Sequence, residues 1–292
     1  MSMLFKKIGL VARRNSPNIG GPLRRLAALL MQYECSGIIL EADTAAEHPI
    51  DNAQVVPADQ LGKLADLVIV LGGDGTMLSI ARLVAPYRIP LVGINQGRLG
   101  FMTDIANDDI ETVIPRILGG DFVPEERILL QAKVGRGDHD VHSALAFNDV
   151  VFSRGSLGSM IEFEIFIDDQ FVYSLRSDGL IVTTPTGSTA YALASGGPIL
   201  HPTVPAIALV PICPQTMTAR PIAVNDSSTV EFMLTRGQDV KVHFDGQSHF
   251  DLQEMDRVTL KRYRNSLRIL HPVGYNYYDM LRHKLHWGER LI

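Results

Sequence analysis

Cysteine is scarce in this chain. Only Cys35 and Cys213 occur in 292 residues, too few for a disulfide framework and not spaced as a metal cluster. No apolar run approaches the roughly 18 residues needed to span a bilayer. After Lys6 and Lys7 only Ile8–Ala12 intervenes before Arg13 and Arg14, too short for a secretory-signal core. Positive charge is also in deficit: Lys+Arg 27 against Asp+Glu 32 leaves a formal net charge of -5. No global positive field draws polyphosphate in, so the balance gives no support to general binding of nucleic acid or an anionic membrane. The nine histidines lack zincin spacing, and pairs such as His139/His142 and His283/His286 read as surface residues. These shortages imply a soluble cytoplasmic protein, in which the sequon Asn225-Asp226-Ser227 is an accident of composition.

What is present is core-forming material. Hydrophobic residues make up 46% and charged residues 20%, and the length suits two domains. Up to about Phe122, apolar runs (Ile8–Ala12, Gly37–Leu40, Leu67–Leu71, Ile89–Ile94) read as strands buried on both faces of a parallel sheet. Pro22–Gln32 and Met77–Val84 have helical apolar spacing. From about Glu125 the period becomes two. Ile161, Phe163, Ile165 and Ile167 alternate with Glu162 and Glu164, and Asp168-Asp169-Gln170 reads as a turn before Phe171–Leu175. Val230–Leu234 alternates likewise, and Val240–Phe244 runs into the hairpin dipeptide Asp245-Gly246. Val258–Arg262 and Leu267–Leu270 flank a turn at Arg264-Asn265-Ser266. One helix, Thr189 to Ser195, interrupts this half before Gly196-Gly197-Pro198. The expected fold is a doubly wound α/β N-terminal domain (1–124) followed by a β-rich, β-sandwich-like domain (125–271). Residues 272–292 start as a helix and are expected to pack back on the first domain.

Strand Leu67–Leu71 leads into Gly72-Gly73-Asp74-Gly75-Thr76, with a helix expected from Met77. Glycines let such a turn approach a ligand, and N–H groups at the helix start attract anions. The carboxylate of Asp74 would repel a phosphate unless it contacts a hydroxyl to be deprotonated or a metal on the phosphates. The dinucleotide fingerprint fails because Leu78 stands where its third glycine belongs, and no Gly-Lys-Ser/Thr follows. The bland alternative is a tight turn in which Asp74 caps the helix. A second constellation runs from Asp178-Gly179-Leu180-Ile181-Val182 through Thr183-Thr184-Pro185-Thr186-Gly187-Ser188-Thr189-Ala190-Tyr191 to Ala194-Ser195-Gly196-Gly197-Pro198. Its hydroxyls beside Tyr191 would suit a ribose and an aromatic base, while an ordinary strand, turn and helix capped by Ser188 or Thr189 would need no ligand.

Gly-Gly-Asp-Gly-Thr resembles the turn shared by NAD kinases, diacylglycerol and sphingosine kinases and 6-phosphofructokinases. The second constellation closely resembles the hallmark block of NAD kinases of bacterial type. Phe147-Asn148-Asp149-Val150 is similar to their Asn-Glu/Asp motif, and Asn95-Gly97-Leu99-Gly100-Phe101 to their Asn-x-Gly-x-Leu-Gly-Phe loop.

The resemblance implies transfer of the γ-phosphoryl of ATP to the 2′-hydroxyl of the adenosine ribose of NAD, giving NADP. It implies Asp74 as general base with Gly75 against the substrate, and Asn148 and Asp149 on the adenosine. Arg176 and Asp178 would lie on the nicotinamide side, in part from a neighbouring subunit of a homodimer or homotetramer. Thr189, Ala190, Tyr191, Ala192, Leu193 and Ala194 would wrap adenine and ribose, with Gln247 a further polar contact. Ser159 stands where close relatives can carry a histidine that touches the dinucleotide. A divalent cation, Mg²⁺, would be bound mainly through the ATP phosphates; the metal ligands on the protein stay unassigned. From the residues alone Arg176 and Asp178 could instead be an ion pair with one another. Two other functions use parts of the same pattern: a lipid kinase, which would need an apolar acceptor groove, and a non-catalytic dinucleotide-binding regulator, which could dispense with Asp74.

Overall fold

The computed structural model describes residues 4–33, 37–97, 99–155 and 159–286. Cys35 and the final residues of the C-terminal segment lie outside them. The chain forms two compact units, one of Met1–Glu126 with Leu267–Ile292 and one of Arg127–Ser266.

The first unit opens with strands β1 (Lys7–Ala12), β2 (Gly37–Glu41), β3 (Gln54–Val56), β4 (Leu67–Leu71), β5 (Leu91–Ile94) and β6 (Val123–Arg127). Helices α1 (Gly20–Gln32), α2 (Ala42–Glu47), α3 (Leu61–Leu64), α4 (Asp74–Val84) and α5 (Ile110–Leu118) alternate with them. All of β4 is buried, as the uninterrupted Leu-Val-Ile-Val-Leu run requires when both sheet faces are covered. Leu23, Leu26, Leu29 and Leu30 form the inward face of α1.

The second unit contains β7 (Leu130–Arg136), β8 (His139–Ala146), β9 (Asp149–Ser153), β10 (Ile161–Ile167), β11 (Gln170–Ser177) and β12 (Gly179–Thr183). After the short helix α6 (Tyr191–Ala194) come β13 (Ala206–Ile212), β14 (Ile222–Asn225), β15 (Val230–Arg236), β16 (Lys241–Phe244), β17 (Ser248–Asp251) and β18 (Arg257–Arg262). They make two six-stranded sheets, ordered β11-β10-β15-β18-β7-β8 and β14-β13-β12-β9-β16-β17. All ten neighbouring pairs are antiparallel. Ile161, Phe163, Ile165, Val230, Phe232 and Leu234 enter one shared core. Phe152 of one sheet stacks on Phe232 of the other at 3.8 Å, so this is the expected sandwich. The Asp168-Asp169 turn has positive φ at both residues, the backbone that a two-residue hairpin needs.

The chain then returns to the first unit with β19 (Leu267–His271) and α7 (Tyr277–Leu285). The chain bends at Arg264 and Asn265, but β19 does not pair back onto β18. It inserts into the first sheet, giving the order β3-β2-β1-β4-β5-β19-β6, and pairs parallel with β5. Leu267, Ile269, Leu270 and His271 are buried, so the segment suits a covered sheet better than a half-exposed one. The order of connection reverses between β1 and β4, which makes the C-terminal end of β4 the topological switch point of the sheet. Among the described residues no helix is long and apolar enough to cross a membrane.

Candidate active site

Helix α4 begins at Asp74, three residues earlier than the apolar pattern indicated, because Gly73 serves as its extended N-cap. Asp74 therefore stands in the first helical turn, where the helix dipole favours a carboxylate. It does not cap the helix with its side chain. Instead its two oxygens accept hydrogen bonds from the backbone N–H groups of Phe101 and Met102, each at 3.0 Å. A Cβ on Gly100 would collide with the Asp74 carboxylate, so glycine is what lets this loop come so close. The loop base is closed by Asn95, whose backbone N–H and side-chain amide both donate to the Ile105 carbonyl at 2.8 and 2.9 Å. Gly75, next along α4, is exposed.

In the second unit a cavity of about 360 Å³ is lined by Asn148, Asp149, Ala190, Tyr191, His243 and Asp245, with Val151, Ser153 and Gly246. Four residues expected from sequence thus meet: Asn148, Asp149, Ala190 and Tyr191. Tyr191 is 47% exposed. Asn148 Oδ1 is buried and has no hydrogen-bond partner. Burial, and secondarily the charge of Asp245, pushes the Asp149 carboxyl up to about 7.

Asp245 fixes the Asn148 segment. Its carboxylate accepts from the N–H groups of Phe147 (2.9 Å), Asn148 (2.7 Å) and Asp149 (3.2 Å). It reaches back this way because the hairpin turn places it in the left-handed region, φ 54°, which aspartate tolerates. As a hairpin residue it gave no sign in the sequence of this role. No motif marks His243 either, although the alternation of β16, with Val242 and Phe244 buried in the core, turns it to the opposite face. Burial, then His249 and Lys241, lowers the His243 pKa.

The hydroxyls of the hallmark block do other work than the sequence suggested. Thr183, Thr184 and Ser188 are fully buried. Thr184 Oγ donates to the Phe147 carbonyl at 2.7 Å and Thr183 Oγ to that of Asn148 at 3.1 Å, while Ser188 Oγ donates to the Pro185 carbonyl. A Cβ on Gly187 would strike the Asn148 carbonyl. Thr183 and Thr184 clamp the Asn148 segment, and none of the three hydroxyls is free for a ribose. The expected helix from Thr189 to Ser195 is one 3₁₀ turn (Gly187–Thr189) and one α turn, α6, without a side-chain cap. Ala192 points inward against Val151 and Ile181, Thr189 and Leu193 are partly buried, and Ala194 is exposed.

The remaining expected residues do not line this cavity. Ser159 and Gln247 are exposed, Gln247 directly following Gly246. Arg176 and Asp178 are not an ion pair with one another: Arg176 lies 3.8 Å from Glu162, and Asp178 lies 2.7 Å from Arg154. Strand alternation does not decide this; the cross-strand neighbour of Arg176 on β10 is Glu162. Among the described residues no group of three or more His, Cys, Asp or Glu side chains could hold a metal ion.

Two family models match the chain: the ATP-NAD kinase N-terminal domain over residues 22–122 and the ATP-NAD kinase C-terminal domain over residues 147–271. The NAD kinase of Chromobacterium violaceum is 68% identical over the full length of both chains. That of Laribacter hongkongensis is 60% identical, again with both chains covered completely. Among solved structures, yeast NADH kinase complexed with NADH superposes with a TM-score of 0.91 at 25% identity, covering 100% of this chain and 91% of its own. An NAD kinase from Archaeoglobus fulgidus in complex with ATP shares the fold, with a TM-score of 0.70, 24% identity and coverage of 90% and 92%. These matches leave no place for the lipid-kinase alternative: the chain belongs to the NAD kinase family.

Proposed function

We propose that Asp74 is the general base in the ATP-dependent phosphorylation of NAD that this chain catalyses, and that the acceptor is the 2′-hydroxyl of the adenosine ribose. The observation that carries the assignment is the setting of Asp74 at the C-terminal end of β4, with both oxygens oriented by N–H donors. A carboxylate offers about four lone-pair sites, and these two bonds leave acceptor capacity for a hydroxyl proton. The 2′-hydroxyl is a weak nucleophile at neutral pH. Asp74 orients it and accepts its proton as its oxygen bonds to the γ-phosphorus of ATP and the bond to the β-phosphate oxygen breaks, releasing ADP. Gly75 leaves the space beside it open.

The NAD adenosine belongs in the cavity of the second unit. The exposed ring of Tyr191 offers a stacking face, and the unpaired Asn148 Oδ1 offers an acceptor for an amino group such as that of adenine. Asp149, Ala190 and His243 supply further wall. Thr189, Ala192, Leu193 and Ala194 shape the turn that carries Tyr191. Arg176 and Asp178 serve the nicotinamide side in a homodimer or homotetramer, with Ser159 and Gln247 as outer polar contacts. The cocrystallised NADH of the yeast relative supports a dinucleotide site on this fold. Mg²⁺ would be held mainly through the ATP phosphates, where it would neutralise their charge.

The test is product identification. Purified protein with ATP, Mg²⁺ and NAD should yield a dinucleotide whose phosphorus NMR spectrum shows one monoester at the ribose 2′ position and which supports an NADP-specific dehydrogenase. Phosphate at another hydroxyl would overturn the assignment.

A further inference from the structure

Beyond the groups just described, the first unit buries a charged cluster around His271. His271, at the end of β19, is fully buried. Its Nδ1 lies 2.9 Å from Asp104 Oδ2, and its Nε2 lies 3.7 Å from Glu125. A carboxylate only accepts, so Nδ1 is the donor. The Tyr275 ring stacks on the imidazole at 3.7 Å. Burial alone would lower the His271 pKa, but the Asp104 carboxylate that accepts from Nδ1 and the nearby charge of Glu125 outweigh it and raise it. Groups of this kind are costly to bury and are retained where they fix one arrangement.

What they fix is the end of the loop that donates to Asp74. Asp104 follows Thr103 and Met102, and the Met102 N–H is one of the two donors that orient the Asp74 carboxylate. Residues 95–105 leave β5 at Asn95 and close again at Ile105. Within this loop Gly100 N–H donates to the Thr103 carbonyl at 3.0 Å, making a tight turn whose outer N–H groups face Asp74. Gly93 of β5 lets the loop lie flat, since a Cβ there would strike the Met102 carbonyl. On the far side the Phe101 ring packs 6.4 Å from that of Tyr277 on α7. One end of the donor loop is thus tied by Asn95, and the other by Asp104.

We propose that His271 is a positioning residue for the phosphoryl transfer: through its bond to Asp104 it holds the Phe101 and Met102 N–H groups against Asp74, and so fixes the direction in which the base presents its free lone pair. This rests on the reading of Asp74 as the base. No group on β19 touches the substrate in this account; His271 acts only through the loop.

The test compares His271→Ala, Asp104→Ala, His271→Asn and His271→Gln by kcat, by KM for NAD and ATP, and by thermal melting. Both alanine variants should lower kcat at least roughly tenfold, the scale expected when a reacting group drifts by a fraction of an ångström, with each KM changed less than about threefold. The asparagine amide reaches the place of Nδ1 and should recover most of kcat. The glutamine amide reaches the place of Nε2, facing Glu125, and should not. This contrast separates positioning from stability and holds even where an alanine variant fails to fold. In an Asp74→Asn background, His271→Ala should cost nothing further. A folded His271→Ala with wild-type kcat, a glutamine variant more active than the asparagine one, or equal fold-losses in both backgrounds would overturn the proposal. Failure of the base reading shows separately, as an Asp74→Asn variant with undiminished kcat.

Discussion

Asp74 and Gly100 are matched by the absence of a side chain: a Cβ at residue 100 would occupy the space of the Asp74 carboxylate. The sequence carries these residues 26 apart in two separate motifs, and the fold joins them through the Phe101 and Met102 N–H groups.

Gly100→Ala should therefore damage catalysis while sparing the fold, because the methyl group must displace either the loop or the carboxylate. A fall in kcat of roughly 10²-fold is expected, the cost of misplacing a reacting group by about an ångström. NAD affinity, read by calorimetry, should change little. Wild-type kcat in this variant would show that the loop can move without consequence.

Tyr191→Ala should weaken NAD binding in a folded protein. Aromatic stacking contributes about 0.5–1.5 kcal/mol beyond burial, so a loss of up to about tenfold in affinity is the scale. With Tyr191 47% exposed, the melting temperature should barely shift. Unchanged NAD affinity would remove Tyr191 from the site.

Arg176→Ala should raise the KM for NAD more than that for ATP. Its side chain is 49% exposed and its Glu162 partner is 3.8 Å away, an arrangement worth little to stability. Kinetics with each substrate varied in turn decide the point, and a larger effect on ATP would contradict the nicotinamide-side role.

Asp149 gives the protein a pH signature. Its carboxyl is raised from 3.8 to about 7, first by burial and then by Asp245, so the folded chain holds a proton that the unfolded chain releases. That contribution is fully present below about pH 4, falls as pH rises towards 7, and is gone above it, a change on the order of 4 kcal/mol. Asp149→Asn should flatten the fall in unfolding free energy between pH 4 and 7. His271, whose raised pKa acts in the same sense from about pH 6.5 upward, is common to both proteins and cancels. Parallel stability curves would mean that Asp149 titrates normally.

Much of this molecule was legible in its sequence because periodicity reports burial directly. Continuous runs marked the parallel strands, alternation marked the sandwich, and Asp168-Asp169 and Asp245-Gly246 marked hairpins. What stayed hidden depends on partners far along the chain. The run Leu267–His271 reads as a strand, but nothing local says that it joins β5 rather than β18. Thr183 and Thr184 look like ligand hydroxyls until their acceptors, the carbonyls of Phe147 and Asn148, are seen. Asp245 looks like a turn residue until its three N–H donors are seen. Asp74, Asn148 and Tyr191 stand in recognisable motifs, whereas the groups that hold their segments in place do not.

The central claim is that Asp74 takes the proton from the acceptor hydroxyl, and Asp74→Asn tests it most directly. Asparagine keeps the shape and an acceptor oxygen, but loses the charge and the base. Single-turnover rates with saturating ATP and NAD should fall on the order of 10²–10⁴-fold, the usual contribution of a positioned general base. NAD affinity should change far less, because the lost interaction acts chiefly in the transition state. A correctly folded Asp74→Asn protein that makes NADP at the wild-type rate would contradict the account.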